Sequence, residues 1–146
     1  MWFAESRTTE NVDLVGLRGT AEERYALMDL ALECGLPIEA LNSAADYFVR
    51  RIEGWRDHLE VLVRGPRATI YRPDATLFLV LKIGRLTESD LDDCAALIAF
   101  AERERLDVDR PRVLMALDAL PPAENHELAE RRMRVARALG RGQGRG

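Results

Sequence analysis

One stretch, Leu77 to Asp93, constrains the fold more than any other because it joins an almost wholly apolar segment to an acidic one. It reads Leu-Phe-Leu-Val-Leu-Lys-Ile-Gly-Arg-Leu-Thr-Glu-Ser-Asp-Leu-Asp-Asp. The apolar part predicts a buried helix that opens at Asp74 and ends at Gly84. Lys82 places a charge in this helix, so the fold must supply a reason for burying a lysine stem.

Helix signals continue from this stretch toward the end of the chain. Thr87 and Asp90 occupy the two positions of a capping box, with Asp where Glu is usual, so a second helix begins there. Its predicted buried positions are Leu91, Cys94, Ala95, Ile98 and Ala101. A short helix is predicted from Asp109 to Leu120, and a last one from Glu124 to Leu139.

The first half mixes strand and helix signals. Three segments alternate apolar and polar residues as strands do, namely 11–17, 58–63 and 68–71. The last two are close enough to pair as a hairpin. A capping box at Thr20 begins a helix that Gly35 ends, and Pro37 begins another. The predicted buried positions of these two helices are Tyr25, Met28, Ala31, Leu32, Ile38, Leu41, Ala45 and Phe48.

These elements predict an α+β fold, with a small mixed sheet in the first half followed by a helical second half. A chain of 146 residues is long enough to bury a real core. We therefore expect a single domain over residues 1–139, with an α/β part at 7–72 and a helical part at 73–139. We expect residues 140–146 to form a disordered tail, because they consist almost entirely of Gly and Arg.

Charge and cysteine content narrow the class of protein. A net charge of -4 argues against a protein that coats nucleic acid non-specifically. The basic end from Arg131 onward is nevertheless compatible with a local RNA-binding face. Cys34 and Cys94 are far apart and lack metal-ligand spacing, so we interpret both as reduced core thiols of a cytoplasmic protein. No signal peptide is visible, and no apolar run approaches the roughly 20 residues of a membrane span.

Asn11 and Asp13 are the first residues that could carry chemistry. Side chains at positions i and i+2 of a strand point to the same face, about 7 Å apart. Two carboxylates in that arrangement could hold a divalent cation against a phosphate. Because Asn11 is a neutral amide, the spacing alone favours two polar residues on the wet face of an edge strand.

Lys82 and the acidic residues after it each allow two interpretations. Lys82 either meets the negative end of its helix, which contributes roughly 0.5 kcal/mol, or directs its ammonium at a phosphate in a cleft beside Asp13. Asp90 and Asp93 lie on one helix face. Both suit the first turn of a helix as caps, and Asp90 could also pair with Lys82 or Arg85 and fix their heads.

Taken in order, these residues resemble the AbiEii-type nucleotidyltransferase-like family of bacterial toxin–antitoxin and phage-defence systems. That family has a strand reading Arg-x-Thr-x-Asp-x-Asp, then Leu-Pro and Leu-Asn, then a Leu-x-x-Lys helix followed by Arg and Asp-Leu-x-Asp. The matching positions are Arg7, Thr9, Asn11, Asp13, Leu36, Pro37, Leu41, Asn42, Leu79, Lys82, Arg85, Asp90, Leu91 and Asp93. The resemblance covers roughly residues 7 to 120 of the chain.

The resemblance implies a nucleotidyltransferase fold and, in active members, Mg²⁺-dependent transfer of a nucleotide from a nucleoside triphosphate to an RNA or protein hydroxyl. It assigns catalysis to Asp13, Lys82 and Asp90, nucleotide contacts to Arg7, Thr9 and Arg85, and metal ligation to Asn11 and Asp13. The partners it implies are a cognate toxin or antitoxin protein and an RNA acceptor. A sheet edge left exposed would also favour a homodimer, and nothing points to a membrane.

The sequence departs from the family pattern at two points, and both bear on whether the chain can catalyse nucleotide transfer. Asn11 replaces the first Asp of the metal pair, and an amide lacks the negative charge that Mg²⁺ prefers. The family's Gly-rich, triphosphate-binding helix start lies before the Arg-x-Thr strand, where few residues precede Arg7. We therefore expect a truncated or degenerate member with weakened or absent transfer. The alternatives are a non-catalytic partner-binding or regulatory module of a toxin–antitoxin pair, and a longer protein that continues upstream of Met1.

Overall fold

The computed structural model describes residues 12–13, 19–33, 35, 37, 41–42, 44–64 and 69–140. The chain divides into two compact units, one formed by Ser6–Trp55 and the other containing Arg56–Gly146. The predicted hairpin therefore belongs to the same unit as the C-terminal helices. The single domain over 1–139 stays a prediction.

The described residues of the first unit form two short paired strands and two helices. Strand β1 (Val12–Asp13) runs parallel to β2 (Leu41–Asn42), and Asp13 lies opposite Asn42. Helix α1 spans Ala21–Glu33 and α2 spans Ala44–Val49. At the start of α1 both hydrogen bonds of the predicted capping box form, each 3.2 Å long.

Burial in the first unit differs from the sequence prediction. Tyr25, Met28 and Leu32 of α1 are exposed, whereas Ala31 is buried. Phe48 of α2 is also exposed and its neighbour Val49 is buried instead. Helical periodicity identifies an apolar face but not whether another element covers it. The prediction that these exposed side chains are buried was therefore wrong.

The predicted helix from Pro37 is replaced in part by a strand. Residues 41–42 pair with β1, and the helix begins only at Ala44. Pairing with a distant strand satisfies backbone groups that local helix signals would otherwise place in a helix. Of the residues predicted to be buried on this helix, Ile38, Leu41 and Ala45 have side chains outside the described part of the chain.

The second unit begins with the predicted hairpin. A 3₁₀-helix (Trp55–His58) leads into β3 (Leu59–Arg64), which pairs antiparallel with β4 (Thr69–Pro73). Glu60 lies opposite Arg72, and their side chains form an ion pair at 2.9 Å. The hairpin prediction is confirmed.

The helices α3 (Ala75–Ile83), α4 (Glu88–Glu104), α5 (Arg110–Asp118) and α6 (His126–Gly140) complete the second unit. The predicted caps Asp74, Thr87 and Asp109 each accept a backbone N–H of the first turn. Helix α3 packs against α4 and α5, and α6 also packs against these two helices. The fully buried side chains include Leu77, Leu79, Ile83, Leu86, Cys94, Leu97, Val113, Val135 and Leu139.

The coarse prediction holds: the protein is mixed α/β and largely helical, with the described strands before the helices α3–α6. On α4, Ala95 is exposed, which contradicts the prediction that it is buried, and Leu97 is buried instead. Gly140 is still part of α6, and residues 141–146 lie outside the described residues. None of the described helices combines the length and apolarity needed to cross a membrane.

Candidate functional site

The turn between α3 and α4 builds the site. After Gly84, Leu86 adopts a left-handed backbone (φ 46°), and its N–H donates to the Lys82 carbonyl at 3.0 Å. A non-glycine residue in this conformation costs roughly 1–2 kcal/mol. The Leu86 side chain is fully buried, which offsets that cost. The turn places the end of α3 beside the start of α4.

Asp90 stands at the centre of this junction, and its side chain is 1% exposed. Its Oδ1 accepts from Lys82 Nζ at 3.0 Å and from Arg85 Nη2 at 3.1 Å. Its Oδ2 accepts from Arg85 Nε at 2.9 Å, and from the Thr87 N–H at 3.0 Å and hydroxyl at 2.8 Å. The carboxylate is thus saturated by donors from three residues while it also completes the α4 capping box.

Lys82 is shared between two carboxylates. Its Nζ lies 3.0 Å from Asp90 Oδ1 and 3.0 Å from Asp93 Oδ2, and 5.6 Å from the centre of the Phe78 ring. The lysine side chain is 26% exposed, and both carboxylates are buried. Lys82, Arg85, Asp90 and Asp93, here called the Lys82 cluster, hold two positive and two negative charges and so balance each other.

The electrostatics of the cluster follow from burial and pairing. Burial alone would raise the pKa of Asp90, but hydrogen bonds from Arg85, Lys82 and Thr87 outweigh it and hold the pKa well below its ordinary range. Burial would lower the pKa of Lys82, yet Asp90 and Asp93 raise it above 10.5. Burial, together with the charge of Asp90, raises the pKa of the Cys94 thiol to about 12. Lys82 and Asp90 therefore both stay ionised at neutral pH.

The structure brings three of the predicted site residues together. The Asp90 carboxylate contacts both Lys82 and Arg85, which are the two partners foreseen for it. Asp13 lies in β1 of the first unit, and its side chain is outside the described residues. Arg7, Thr9 and Asn11 also lie outside them. The cleft between Asp13 and Lys82 stays a prediction.

Asp93 was missed as a partner of Lys82, although its three-residue spacing from Asp90 was the available signal. His58 has a structural contact. Its Nδ1 lies 2.7 Å from Asp74 Oδ2, while Asp74 Oδ1 accepts the Leu77 N–H at 2.7 Å. His58 thus ties the start of the hairpin to the N-terminus of α3.

A metal site would need several ligands converging on one point. Among the described residues, no group of three or more His, Cys, Asp or Glu side chains is placed to hold a metal ion. The Asn11 and Asp13 side chains are not among them, so Mg²⁺ binding stays a prediction. The donors of the Lys82 cluster are already directed at its own carboxylates, which suits a structural junction better than an anion site.

No protein-family model matches the chain, and neither the curated proteins nor the solved structures contain a match.

Proposed function

We propose that this chain is a nucleotidyltransferase-like protein of the toxin–antitoxin type that acts as a non-catalytic, partner-binding module. The observation that carries the proposal is the position of Lys82, whose ammonium donates to two buried carboxylates rather than projecting from its helix. The replacement of the first metal-pair Asp by Asn11 supports the same conclusion.

Phosphate binding by Lys82 would compete with these bonds. A hydrogen bond to a charged group contributes roughly 1.5–3 kcal/mol. Two of the three N–H donors of the ammonium are directed at these carboxylates. Turning the ammonium away from them toward a phosphate would give up both bonds and leave Asp93 buried without this cation. The cluster therefore favours a lysine that joins α3 to α4 over one that holds a substrate.

An exposed apolar surface on α1 supports the partner-binding part of the proposal. Tyr25 is 67% exposed, Met28 53% and Leu32 81%. Their spacing places them on one side of the helix, and we call these three residues the α1 stripe. Contiguous exposed apolar residues of this size mark protein–protein contacts more often than isolated ones do. The partner we propose is the cognate toxin or antitoxin protein.

A second candidate function is weak Mg²⁺-dependent nucleotidyl transfer. The observation that favours it is Arg85, whose side chain is 75% exposed although it contacts Asp90. A guanidinium matches a phosphate group with two parallel hydrogen bonds. In this alternative Asp13, helped by Asn11, binds Mg²⁺, and Asp90 orients Lys82 and Arg85.

A transfer assay separates the two functions. The purified full-length chain would be incubated with Mg²⁺, each labelled nucleoside triphosphate in turn, and either RNA or protein acceptors. We expect no transfer above a no-enzyme control. Transfer that Asp13→Ala abolishes, in a variant that keeps its circular dichroism spectrum, would overturn the non-catalytic proposal and establish the second function.

Partner binding is tested with the purified product of the neighbouring gene. We expect a complex by calorimetry, and at least a tenfold loss of affinity in the Tyr25→Ser, Leu32→Ser double variant, because ~1.5–3 kcal/mol accompanies burial of each large apolar side chain. Met115→Ser on α5 is the matched control, since Met115 is also strongly exposed. Equal losses in both variants, or no complex, would refute this surface.

A further inference from the structure

The α1 stripe is bordered along one side by acidic residues. Glu22, Asp29 and Glu33, here called the acidic row, are all exposed. Each of them follows by one position either a residue of the stripe or Ala21, which continues the stripe one turn toward the start of α1. Because successive residues of a helix lie about 100° apart around its axis, the three carboxylates line the same side of the stripe.

The opposite border of the stripe is closed to solvent. Ala31 lies on that side of the helix and is buried, and Leu27 beside it is partly buried. The stripe thus has one closed border and one open, acidic border. Any surface that docks on the stripe from the open side meets the apolar side chains and the carboxylates together.

The stability of α1 accounts for only one member of the acidic row. Glu22 lies in the first turn, where the helix dipole favours a negative charge. Glu33 ends the helix, where the same dipole disfavours a negative charge, and the last turn contains no basic residue. Asp29 lies in the interior of the helix, where Asp is a poor helix former. The positions of Asp29 and Glu33 therefore call for a reason outside the helix itself.

The spacing of the apolar residues matches that of a helix–helix seam. Ala21, Tyr25, Met28 and Leu32 are separated by four, three and four positions. This is the spacing of the a and d residues that face a partner helix in coiled-coil packing, where charged residues beside the seam select the partner.

We propose that the α1 stripe binds an amphipathic helix of the partner protein, and that lysine or arginine residues along one edge of that helix pair with the acidic row. The proposal rests on the partner-binding function proposed above, and it names the element that the partner contributes. Apolar contact with the stripe supplies affinity. Opposite charges at the open border fix the orientation of the docked helix and reject acidic helices.

A second copy of the chain fits this surface less well. In an antiparallel pair of α1 helices the two acidic rows would face each other, and like charges oppose association. In a parallel pair the acidic row would face the border that contains Ala31, which is buried. An anionic membrane is also disfavoured, because helices that lie on such surfaces carry Lys and Arg beside their apolar side.

The test uses two labelled synthetic peptides of about three heptads, both with leucine at the a and d positions. One carries lysine along one edge and the other carries glutamate at the same positions. In fluorescence anisotropy with the full chain at ~50 mM salt, we expect the lysine peptide to bind roughly tenfold more tightly than the glutamate peptide. The Tyr25→Ser, Leu32→Ser variant should bind the lysine peptide roughly tenfold more weakly.

A charge swap keeps the test independent of any general loss of helix. In Glu22→Lys, Asp29→Lys, Glu33→Lys the preference should reverse, so that the glutamate peptide binds more tightly, in a variant that keeps its circular dichroism spectrum.

The matched control for the swap is Asp118→Lys, Glu124→Lys, Glu130→Lys, which makes the same change of charge at exposed residues of the second unit. It should retain the preference for the lysine peptide. Reversal in the control as well would mean that only net charge matters, and the docking site would be refuted.

Three further outcomes would overturn the proposal: equal binding of the two peptides, no binding of the lysine peptide, or dimers seen by light scattering that Tyr25→Ser, Leu32→Ser abolishes. The last would assign the stripe to a second copy. The complex with the neighbouring gene product is measured separately. If that complex forms while the peptides fail, the proposed function stands and this inference falls. If the peptides bind as expected without such a complex, the docking surface stands and its cognate partner is a different protein.

Discussion

Lys82 and Asp93 lie on different helices, yet Nζ of the lysine is 3.0 Å from Oδ2 of the aspartate, the same distance as to Asp90 Oδ1. One ammonium therefore bridges two buried carboxylates on successive turns of α4. The contact explains how an apolar helix tolerates a lysine, because the charge is neutralised where the stem emerges from the core. It also defines which substitutions should weaken the second unit.

Asp90→Asn should destabilise the protein by about 3 kcal/mol, because it removes the buried anion that pairs with Lys82 and Arg85. Urea denaturation followed by circular dichroism measures the change. Asp92→Asn is the control, since Asp92 is exposed on the same helix and should shift stability by no more than about 0.5 kcal/mol. Similar effects of the two substitutions would show that the cluster adds nothing.

The loss of stability at acid pH should depend in part on Asp90. Its pKa is lowered in the folded protein from an ordinary value of 3.8. Its contribution is therefore complete above pH 3.8 and is lost as the pH falls below that value, where the unfolded chain takes up the proton first. Denaturation at a series of pH values should show a steeper acid decline in the natural protein than in Asp90→Asn. Parallel curves would contradict the assignment.

At alkaline pH the stability of the fold should depend on Lys82, and here stability is lost as the pH rises. Its pKa is raised above 10.5 in the folded protein, so its contribution is complete below pH 10.5 and is lost as the pH rises through the folded value. Stability measured from pH 9 upward in the natural protein and in Lys82→Met should converge at high pH. A constant difference between the two curves would mean that the charge of Lys82 does not stabilise the fold.

A double-mutant cycle tests whether Lys82 and Asp93 act as a pair. Lys82→Met and Asp93→Asn should each destabilise, by roughly 2–3 kcal/mol, while the double variant should lose about 1 kcal/mol less than their sum. The free energy of unfolding of all four proteins gives the coupling. A lysine reserved for phosphate would be free of this coupling, so strictly additive losses would argue against the structural role.

Cys94 should be inert until the protein unfolds. It is buried in the core, and its pKa is raised to about 12, so at pH 8 the thiolate is on the order of 10⁻⁴ of the population. In a Cys34→Ser background, reaction with a disulfide reagent should proceed no faster than unfolding and should accelerate with denaturant. Immediate labelling of the native protein would show that the thiol is accessible.

Local signals in the sequence predicted much of the second unit. The caps Asp74, Thr87 and Asp109 begin α3, α4 and α5 as expected, because each cap needs only its own side chain and the next few backbone groups. The antiparallel hairpin is confirmed for a similar reason, since its strands are adjacent in sequence. The pairing of Asp90 with Lys82 and Arg85 could be foreseen because a short turn separates them.

Burial and long-range pairing could not be predicted in the same way. The α1 stripe has the period of a buried helix face, but no periodicity says whether a second surface covers it. The strand at 41–42 depends on β1, almost thirty residues earlier, and overrides the helix signal at Pro37. The sequence places Asp93 only near the start of a helix, because its contact with Lys82 depends on how α3 packs against α4.

Local sequence signals are enough to set the starts of α3, α4 and α5 and to place a lone lysine near the end of the apolar helix. What that lysine contacts depends on how the helices pack. The buried left-handed turn at Leu86 sets α4 beside α3, so that Asp90 and Asp93 both reach the ammonium. Capping is settled within one helical turn, whereas the partner of a buried charge is settled by the packing of whole helices.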